Sequence, residues 1–175
     1  MRKIIIIAAI VLILLLIIPF IFRFTKDIKK KLNYPNTYAI QNVQTGKDIR
    51  VSNADYHDNA KIILYPHHNR ECITWEMIQL ADSTYLLKNL YTQKTFEPVA
   101  FPAQGVSLWQ KPLGYGNFQY WEFIRQNDSV YYIRLKGTDL FITVSSNEDN
   151  SELLLQPLKN SDSQKWKLIR QNPVI

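Results

Sequence analysis

The sequence predicts an all-β domain made of three copies of one four-stranded unit. A segment centred on tryptophan occurs three times, as ITWEMI (73–78), QYWEFI (119–124) and QKWKLI (164–169). Its tryptophans, Trp75, Trp121 and Trp166, are 46 and 45 residues apart. Apolar and charged residues alternate after each tryptophan, as in a strand with one buried face. A constant period of this length indicates a structural repeat.

Three further strands are predicted before the tryptophan strand of each unit. The first strands contain tyrosine and cover residues 37–40, 84–87 and 130–133. The second strands cover 48–51, 95–98 and 141–144, and the third cover 62–65, 106–109 and 153–156. The resulting repeats occupy residues 37–81, 84–127 and 130–171. Together they place a β domain at residues 37–175.

The number of repeats limits which repeat architectures are possible. A β-propeller needs at least four blades, and a solenoid would need capping repeats, which the sequence does not show. A closed body with pseudo-three-fold symmetry, the β-trefoil, remains. Its core is expected to hold the three tryptophans and three matching residues from each of three positions. These are Ile40, Leu87, Ile133, Leu64, Leu108, Leu155, Ile78, Ile124 and Ile169.

An N-terminal transmembrane helix is predicted at residues 1–22. Residues 4–22 form an apolar run of 19 residues without a charge. As a helix this run would be about 28 Å long at ~1.5 Å per residue, close to the ~30 Å hydrocarbon core of a bilayer. A cleaved signal peptide is the alternative, but no Ala-x-Ala pattern follows Phe22. We therefore expect an uncleaved, single-pass membrane anchor.

Residues 23–36 form a basic tether between the anchor and the β domain. Residues 1–31 contain seven Lys or Arg and one Asp, whereas the rest of the chain contains 14 bases and 14 acids. The basic surplus therefore lies beside the predicted membrane segment, where it can meet anionic lipid headgroups. Because the β domain has no net charge, nucleic acid is not expected as its partner.

The β domain resembles the ricin-B-type lectins, whose repeats end in Gln-x-Trp. Gln119-Tyr120-Trp121 and Gln164-Lys165-Trp166 match that signature, whereas the first repeat has Ile73 in place of Gln. The resemblance covers everything after the N-terminal segment. It implies a β-trefoil fold and one shallow sugar pocket per repeat. The pocket uses an acid on the second strand, an aromatic on the third strand and amides before the closing tryptophan.

The resemblance assigns the ligand-binding roles in the second repeat to Glu97, Trp109, Asn117 and Gln119. A carboxylate accepts hydrogen bonds from adjacent hydroxyls, and an aromatic ring stacks on the apolar face of a sugar. Glu97 stands where the family usually has Asp.

The other two repeats depart from the family pattern. The first has Arg50, Tyr65 and Ile73 at the three positions, and the third has Thr143, Gln156 and Gln164. At most one intact sugar site, in the second repeat, is therefore expected. An alternative for Gln119 and Gln164 is that they are structural and hold the tryptophan strand through backbone hydrogen bonds.

Neither an enzyme nor a metal site is predicted. The chain has no G-x-S-x-G, no H-E-x-x-H and no Gly-rich phosphate loop. His57, His67, His68 and Cys72 are metal-ligand types, but their spacing fits no standard zinc pattern. We expect no catalytic activity, no cofactor and no metal.

Two functions remain open. One is a membrane-tethered carbohydrate-binding module whose partner is a carbohydrate or glycoconjugate. The other is a protein–protein interaction trefoil that has lost sugar binding, since a fold does not fix a function. Lys and Arg after the apolar run favour a cytoplasmic domain, but a short N-terminal tail before a single apolar run is typical of a signal anchor. A lectin-like domain has most to bind outside the cell, so an extracytoplasmic domain is expected.

Overall fold

The computed structural model describes residues 34–173, together with Ile13, Leu15 and residues 17–19, which are helical. The chain divides into two compact units, residues 1–33 with residue 175, and residues 34–174. Among the described residues, no helix is both long and apolar enough to cross a bilayer. Most of the predicted anchor and most of the predicted tether lie outside the described residues, and both stay predictions.

Within residues 34–173 the chain forms twelve strands in three sets of four. The first repeat contains β1 (Thr37–Asn42), β2 (Asp48–Val51), β3 (Ile62–Tyr65) and β4 (Trp75–Ala81). The second contains β5 (Thr84–Asn89), β6 (Thr95–Pro98), β7 (Leu108–Lys111) and β8 (Tyr120–Arg125). The third contains β9 (Val130–Leu135), β10 (Leu140–Val144), β11 (Leu153–Pro157) and β12 (Lys165–Arg170). A short 3-10 turn precedes each closing strand, at Glu71–Ile73, Asn117–Gln119 and Asp162–Gln164.

The first and fourth strands of the three repeats form a closed barrel. Antiparallel pairing runs from β1 through β4, β5, β8 and β9 to β12, and β12 pairs with β1 again. The second and third strands form the hairpins β2–β3, β6–β7 and β10–β11. Single bridges connect each hairpin to the other two: Lys61 with Trp109, Ile63 with Glu152, and Ser107 with Leu154. This six-stranded barrel with a triangle of hairpins confirms the predicted β-trefoil.

The three repeat tryptophans form the centre of the core, and none of them has exposed surface. The indole Nε1 of Trp75 donates to the Ile49 carbonyl at 2.9 Å, and that of Trp166 donates to the Ile142 carbonyl at 3.1 Å. Trp121 breaks the symmetry, because its buried Nε1 has no partner among the described residues. In this repeat Phe96 replaces the isoleucine, and its ring centroid lies 5.1 Å from the Trp121 ring.

One predicted core position is wrong. Ile78, Ile124 and Ile169 are only partly buried, whereas Met77 and Phe123, two residues after their tryptophans, are buried. Side chains of a strand alternate with a period of two, so a residue three places after an inward tryptophan points to the other face. The six other aliphatic core residues predicted from the first and third strands are all buried.

Candidate functional site

Glu97 and Trp109 face each other across the β6–β7 hairpin. They are direct cross-strand partners, and side chains in that relation lie on one face with Cβ atoms about 4.5–5.5 Å apart. Both side chains are partly exposed. The structure therefore brings the predicted acid and the predicted aromatic together at the surface.

Gln119 fixes the position of the Glu97 carboxylate. The Gln119 amide nitrogen donates to Glu97 Oε2 at 3.0 Å and to the Pro112 carbonyl at 3.1 Å. Its amide oxygen accepts a hydrogen bond from the Gly114 backbone N–H at 3.0 Å. Since an amide has two N–H donors, this buried side chain has no donor left for a ligand. Gln119 therefore acts as a positioning residue for Glu97 and for the loop before β8.

Gln164 makes the same three contacts in the third repeat. Its amide nitrogen donates to Thr143 Oγ1 at 2.9 Å and to the Pro157 carbonyl at 2.8 Å. Its oxygen accepts from the Lys159 backbone N–H at 2.6 Å. The repetition of this network beside a threonine, where no sugar pocket is expected, supports the structural alternative for the Gln of Gln-x-Trp.

Asn117 lies outside this group. Its side chain is exposed, makes no hydrogen bond with a described residue, and belongs to a surface pocket of about 430 Å³. This pocket is lined by Phe101, Pro102, Asn117, Phe118, Tyr120, Lys136, Gly137 and Thr138. Phe101 is 81% exposed, and its ring meets the Phe118 ring edge-on at 5.9 Å. Glu97 and Trp109 do not line this pocket, so the four predicted residues divide between two adjoining surfaces.

The strand register corrects the equivalence of the third strands. β7 begins at Leu108, two residues after the predicted start. Trp109 lies opposite Glu97 in β6, and Ile63 lies opposite Arg50 in β2. Tyr65 and Lys111 each lie two residues further along the third strand of their repeat. Trp109 is therefore equivalent to Ile63 and not to Tyr65. A shift of two residues preserves the inward and outward alternation of a strand, so the hydrophobic pattern could not reveal it.

A family model described as a ricin-type beta-trefoil lectin domain-like family matches residues 22–100, somewhat less than half of the chain. The resemblance to ricin-type β-trefoil lectin-like domains is confirmed. Among curated proteins, no sequence matches this chain.

Solved structures share the trefoil. A designed three-fold symmetric protein, ThreeFoil, is 22% identical with a TM-score of 0.74, over 77% of this chain and 99% of that one. A ricin B-like lectin of Macrolepiota procera in complex with lactose is 21% identical with a TM-score of 0.68, over 80% and 99%. An exo-beta-1,3-galactanase of Clostridium thermocellum, 1,3Gal43A, is 20% identical with a TM-score of 0.73, over 77% of this chain but only 30% of that enzyme. Identities this low show the shared fold alone.

Two buried asparagines, Asn42 at the end of β1 and Asn89 at the end of β5, hold neighbouring loops and were not predicted from the sequence. The Asn42 amide nitrogen lies within 3.2 Å of three backbone carbonyls, those of two residues just before β12 and of Lys165 at its start. Its amide oxygen accepts hydrogen bonds from the Gln44 and Thr45 N–H groups. Asn89 makes the corresponding contacts in the second repeat. An Asn-x-x-Thr sequence recurring 47 residues apart was the available signal.

Proposed function

We propose that this protein is a carbohydrate-binding module whose sugar site is centred on Glu97 and Trp109. The observation that carries the proposal is the hairpin geometry, in which the Glu97 carboxylate and the partly exposed Trp109 indole stand directly opposite each other. The lectin-like fold supports the same function. The similar Macrolepiota procera lectin was crystallised with lactose.

Each of the four residues takes a distinct part in the proposed site. Gln119 holds one Glu97 carboxylate oxygen, and the other has no partner among residues 34–173. That oxygen accepts hydrogen bonds from adjacent sugar hydroxyls, which are strengthened by its charge. The Trp109 indole stacks on the C–H face of the same ring. Asn117 contacts a saccharide long enough to reach the adjoining pocket beside Phe101.

The other two repeats do not present this combination. In the first repeat the Arg50 guanidinium lies 4.0 Å from the centre of the Tyr65 ring and covers it. In the third, Thr143 is buried and lies opposite Leu154. Neither position offers a carboxylate beside a free aromatic face, so we place sugar binding in the second repeat alone.

Saccharide titration of the full chain tests this proposal. The chain is kept in a detergent without a sugar headgroup, and lactose and a panel of other saccharides are followed by calorimetry and tryptophan fluorescence. A hydrogen bond to a charged group contributes about 1.5–3 kcal/mol, so Glu97→Gln should weaken binding about ten-fold or more. Trp109→Ala should have a comparable effect through lost stacking.

Two matched variants serve as controls. Glu148→Gln removes one negative charge from an exposed turn. Thr143→Ser changes the third-repeat position equivalent to Glu97 but keeps the hydroxyl that Gln164 contacts. Both should bind as the wild type does. Binding that survives both Glu97→Gln and Trp109→Ala would show that the pocket is wrongly chosen.

A protein-binding trefoil is the second candidate. It is favoured by Phe101, an aromatic side chain that is 81% exposed at the edge of the 430 Å³ pocket. Isolated exposed apolar residues are ordinary, but an exposed aromatic beside a pocket is typical of an interaction site. This function requires that no saccharide binds to the wild type or to any variant.

We propose further that residues 1–22 hold the protein in a membrane with the trefoil outside the cytoplasm. The length of the apolar run and the missing cleavage pattern support the anchor. The full chain should remain in the membrane fraction after carbonate extraction, and external protease should digest the trefoil of intact cells. A soluble product whose N-terminus lies near residue 25 would contradict the anchor.

A further inference from the structure

The first repeat contains a pocket with two arginines at the place where the family resemblance puts a sugar. Its volume is about 170 Å³. Its lining residues are Arg50, Tyr65, His68, Arg70, Cys72 and Ile73. Arg50 comes from β2 and Tyr65 ends β3, while the others belong to the segment that leads into β4.

Arg50 lacks the amide partner that its equivalents have. Glu97 and Thr143, at the same position of the second strand, each contact the Gln of their Gln-x-Trp. In the first repeat Ile73 replaces that Gln, and the buried Arg50 Nε has no hydrogen-bond partner. The guanidinium instead lies over the Tyr65 ring, 4.0 Å from its centre.

The charge of this pocket is not neutralised by a described residue. Within residues 34–173, no carboxylate forms an ion pair with Arg50 or Arg70. The nearby carboxylate of Asp48 is fully buried and is engaged by His67 Nδ1 at 2.8 Å. The pocket therefore presents two guanidinium groups that are available to a negatively charged ligand.

The wall of the pocket is held in place by a residue close to the C-terminus. The Gln171 amide nitrogen donates to the His68 carbonyl at 3.0 Å. The Thr74 hydroxyl contacts both the Gln171 amide oxygen and the Arg70 carbonyl. Gln171 is itself fixed by its backbone N–H, which donates to the Thr37 carbonyl at 3.0 Å. The backbone that carries Arg70 is thus positioned before any ligand arrives.

We propose that this first-repeat pocket binds an oxyanion, namely the carboxylate or sulfate group of a ligand, through Arg50 and Arg70. Guanidinium is planar, permanently charged and able to donate two parallel hydrogen bonds to such a group. Because Arg50 covers the Tyr65 ring, the pocket cannot stack a neutral sugar there. It is a different kind of site from the one centred on Glu97, and the two can be tested separately.

Titration of the full chain with inorganic sulfate, glucuronate and glucose, at constant ionic strength, tests this inference. Sulfate and glucuronate should bind and compete with each other, and glucose should not displace either. Glucuronate binding more tightly than sulfate would identify an acidic saccharide as the ligand, whereas the reverse order would identify a free or pendant sulfate. Both orders support an oxyanion site.

Two substitutions locate the binding. Arg50→Gln and Arg70→Gln should each weaken sulfate and glucuronate binding roughly ten-fold or more, because each removes a charge-assisted contact. Arg125→Gln, which removes an exposed guanidinium at the end of β8, is the matched control and should bind as the wild type does. Near-ultraviolet circular dichroism shows whether each variant is folded. Because Arg70 is exposed, Arg70→Gln should stay folded and keeps the test valid if Arg50→Gln does not fold.

Three results would overturn the inference. The first is a wild-type chain that binds neither sulfate nor glucuronate. The second is binding that persists unchanged in Arg70→Gln and in a folded Arg50→Gln. The third is an equal loss in Arg125→Gln, which would indicate attraction by the overall charge and not by this pocket.

Discussion

Replacing Gln164 with alanine should destabilise the trefoil strongly, although no ligand is involved. Gln164 is fully buried, and its amide connects Thr143 of β10 with the Pro157 carbonyl and the Lys159 N–H before β12. Each hydrogen bond contributes about 0.5–1.5 kcal/mol net. Three bonds therefore correspond to about 3 kcal/mol, and one of the partners left behind, the Thr143 hydroxyl, belongs to a buried residue.

Urea unfolding followed by tryptophan fluorescence measures this effect. With an m-value of about 2 kcal/mol per molar urea, a loss of about 3 kcal/mol lowers the unfolding midpoint by roughly 1.5 M. Gln156→Ala is the matched control, because Gln156 makes no side-chain hydrogen bond with a described residue and its buried oxygen is already unpaired. It should change stability by less than about 0.5 kcal/mol. Equal shifts in the two variants would refute the structural role of the Gln in Gln-x-Trp.

The remaining predictions concern a buried acid and the indole donors. Burial raises the pKa of Asp48 above its ordinary value of 3.8, and the neighbouring His67 opposes this only in part. The folded state therefore holds the proton more tightly than the unfolded state. The stabilising contribution is complete below pH 3.8 and is lost as the pH rises through the raised pKa. Urea midpoints of the wild type should fall over this range, and Asp48→Asn should remove that fall; identical pH profiles would contradict it. Trp166→Phe should cost about 1 kcal/mol more than Trp121→Phe, because only Trp166 loses a hydrogen bond; equal unfolding midpoints would contradict this second expectation.

The architecture could be predicted because two independent signals, the tryptophan spacing and the strand alternation, agree in all three repeats. The tryptophan spacing established the number of units, and the strand alternation located all twelve strands to within two residues at their starts. What the pattern could not supply was the pairing of those strands. Gln110, not Leu108, is the structural counterpart of Leu64, since both lie opposite the middle of the preceding strand. A polar residue that is fully buried there carries no hydrophobic signal.

The candidate site was predictable in type but not in the role of each residue. The acid and the aromatic do meet across a hairpin. However, only the hydrogen bonds show that both N–H donors of the Gln119 amide are used by protein groups. The first repeat was also predicted to have lost its sugar pocket, because Arg50 and Ile73 depart from the family pattern. Three-dimensional contacts were needed to show that the same two changes leave a charged, unpaired side chain in a pocket.

The three repeats explain how one fold can carry different chemistry at equivalent positions. The barrel is closed by strand pairing and by Gln119, Gln164 and Gln171, whose amides hold the segment before the closing strand in each repeat. The third residue of the hairpin strand, Arg50 or Glu97 in the first two repeats, is not needed for that closure. Substitutions at this position therefore change the charge that the hairpin presents, from Arg50 in the first repeat to Glu97 in the second. In the first repeat the amide that holds the segment before the closing strand comes from Gln171, which lies after the third repeat. The Arg50 Nε therefore has no amide partner, and in this repeat alone the position is free to face a ligand by itself.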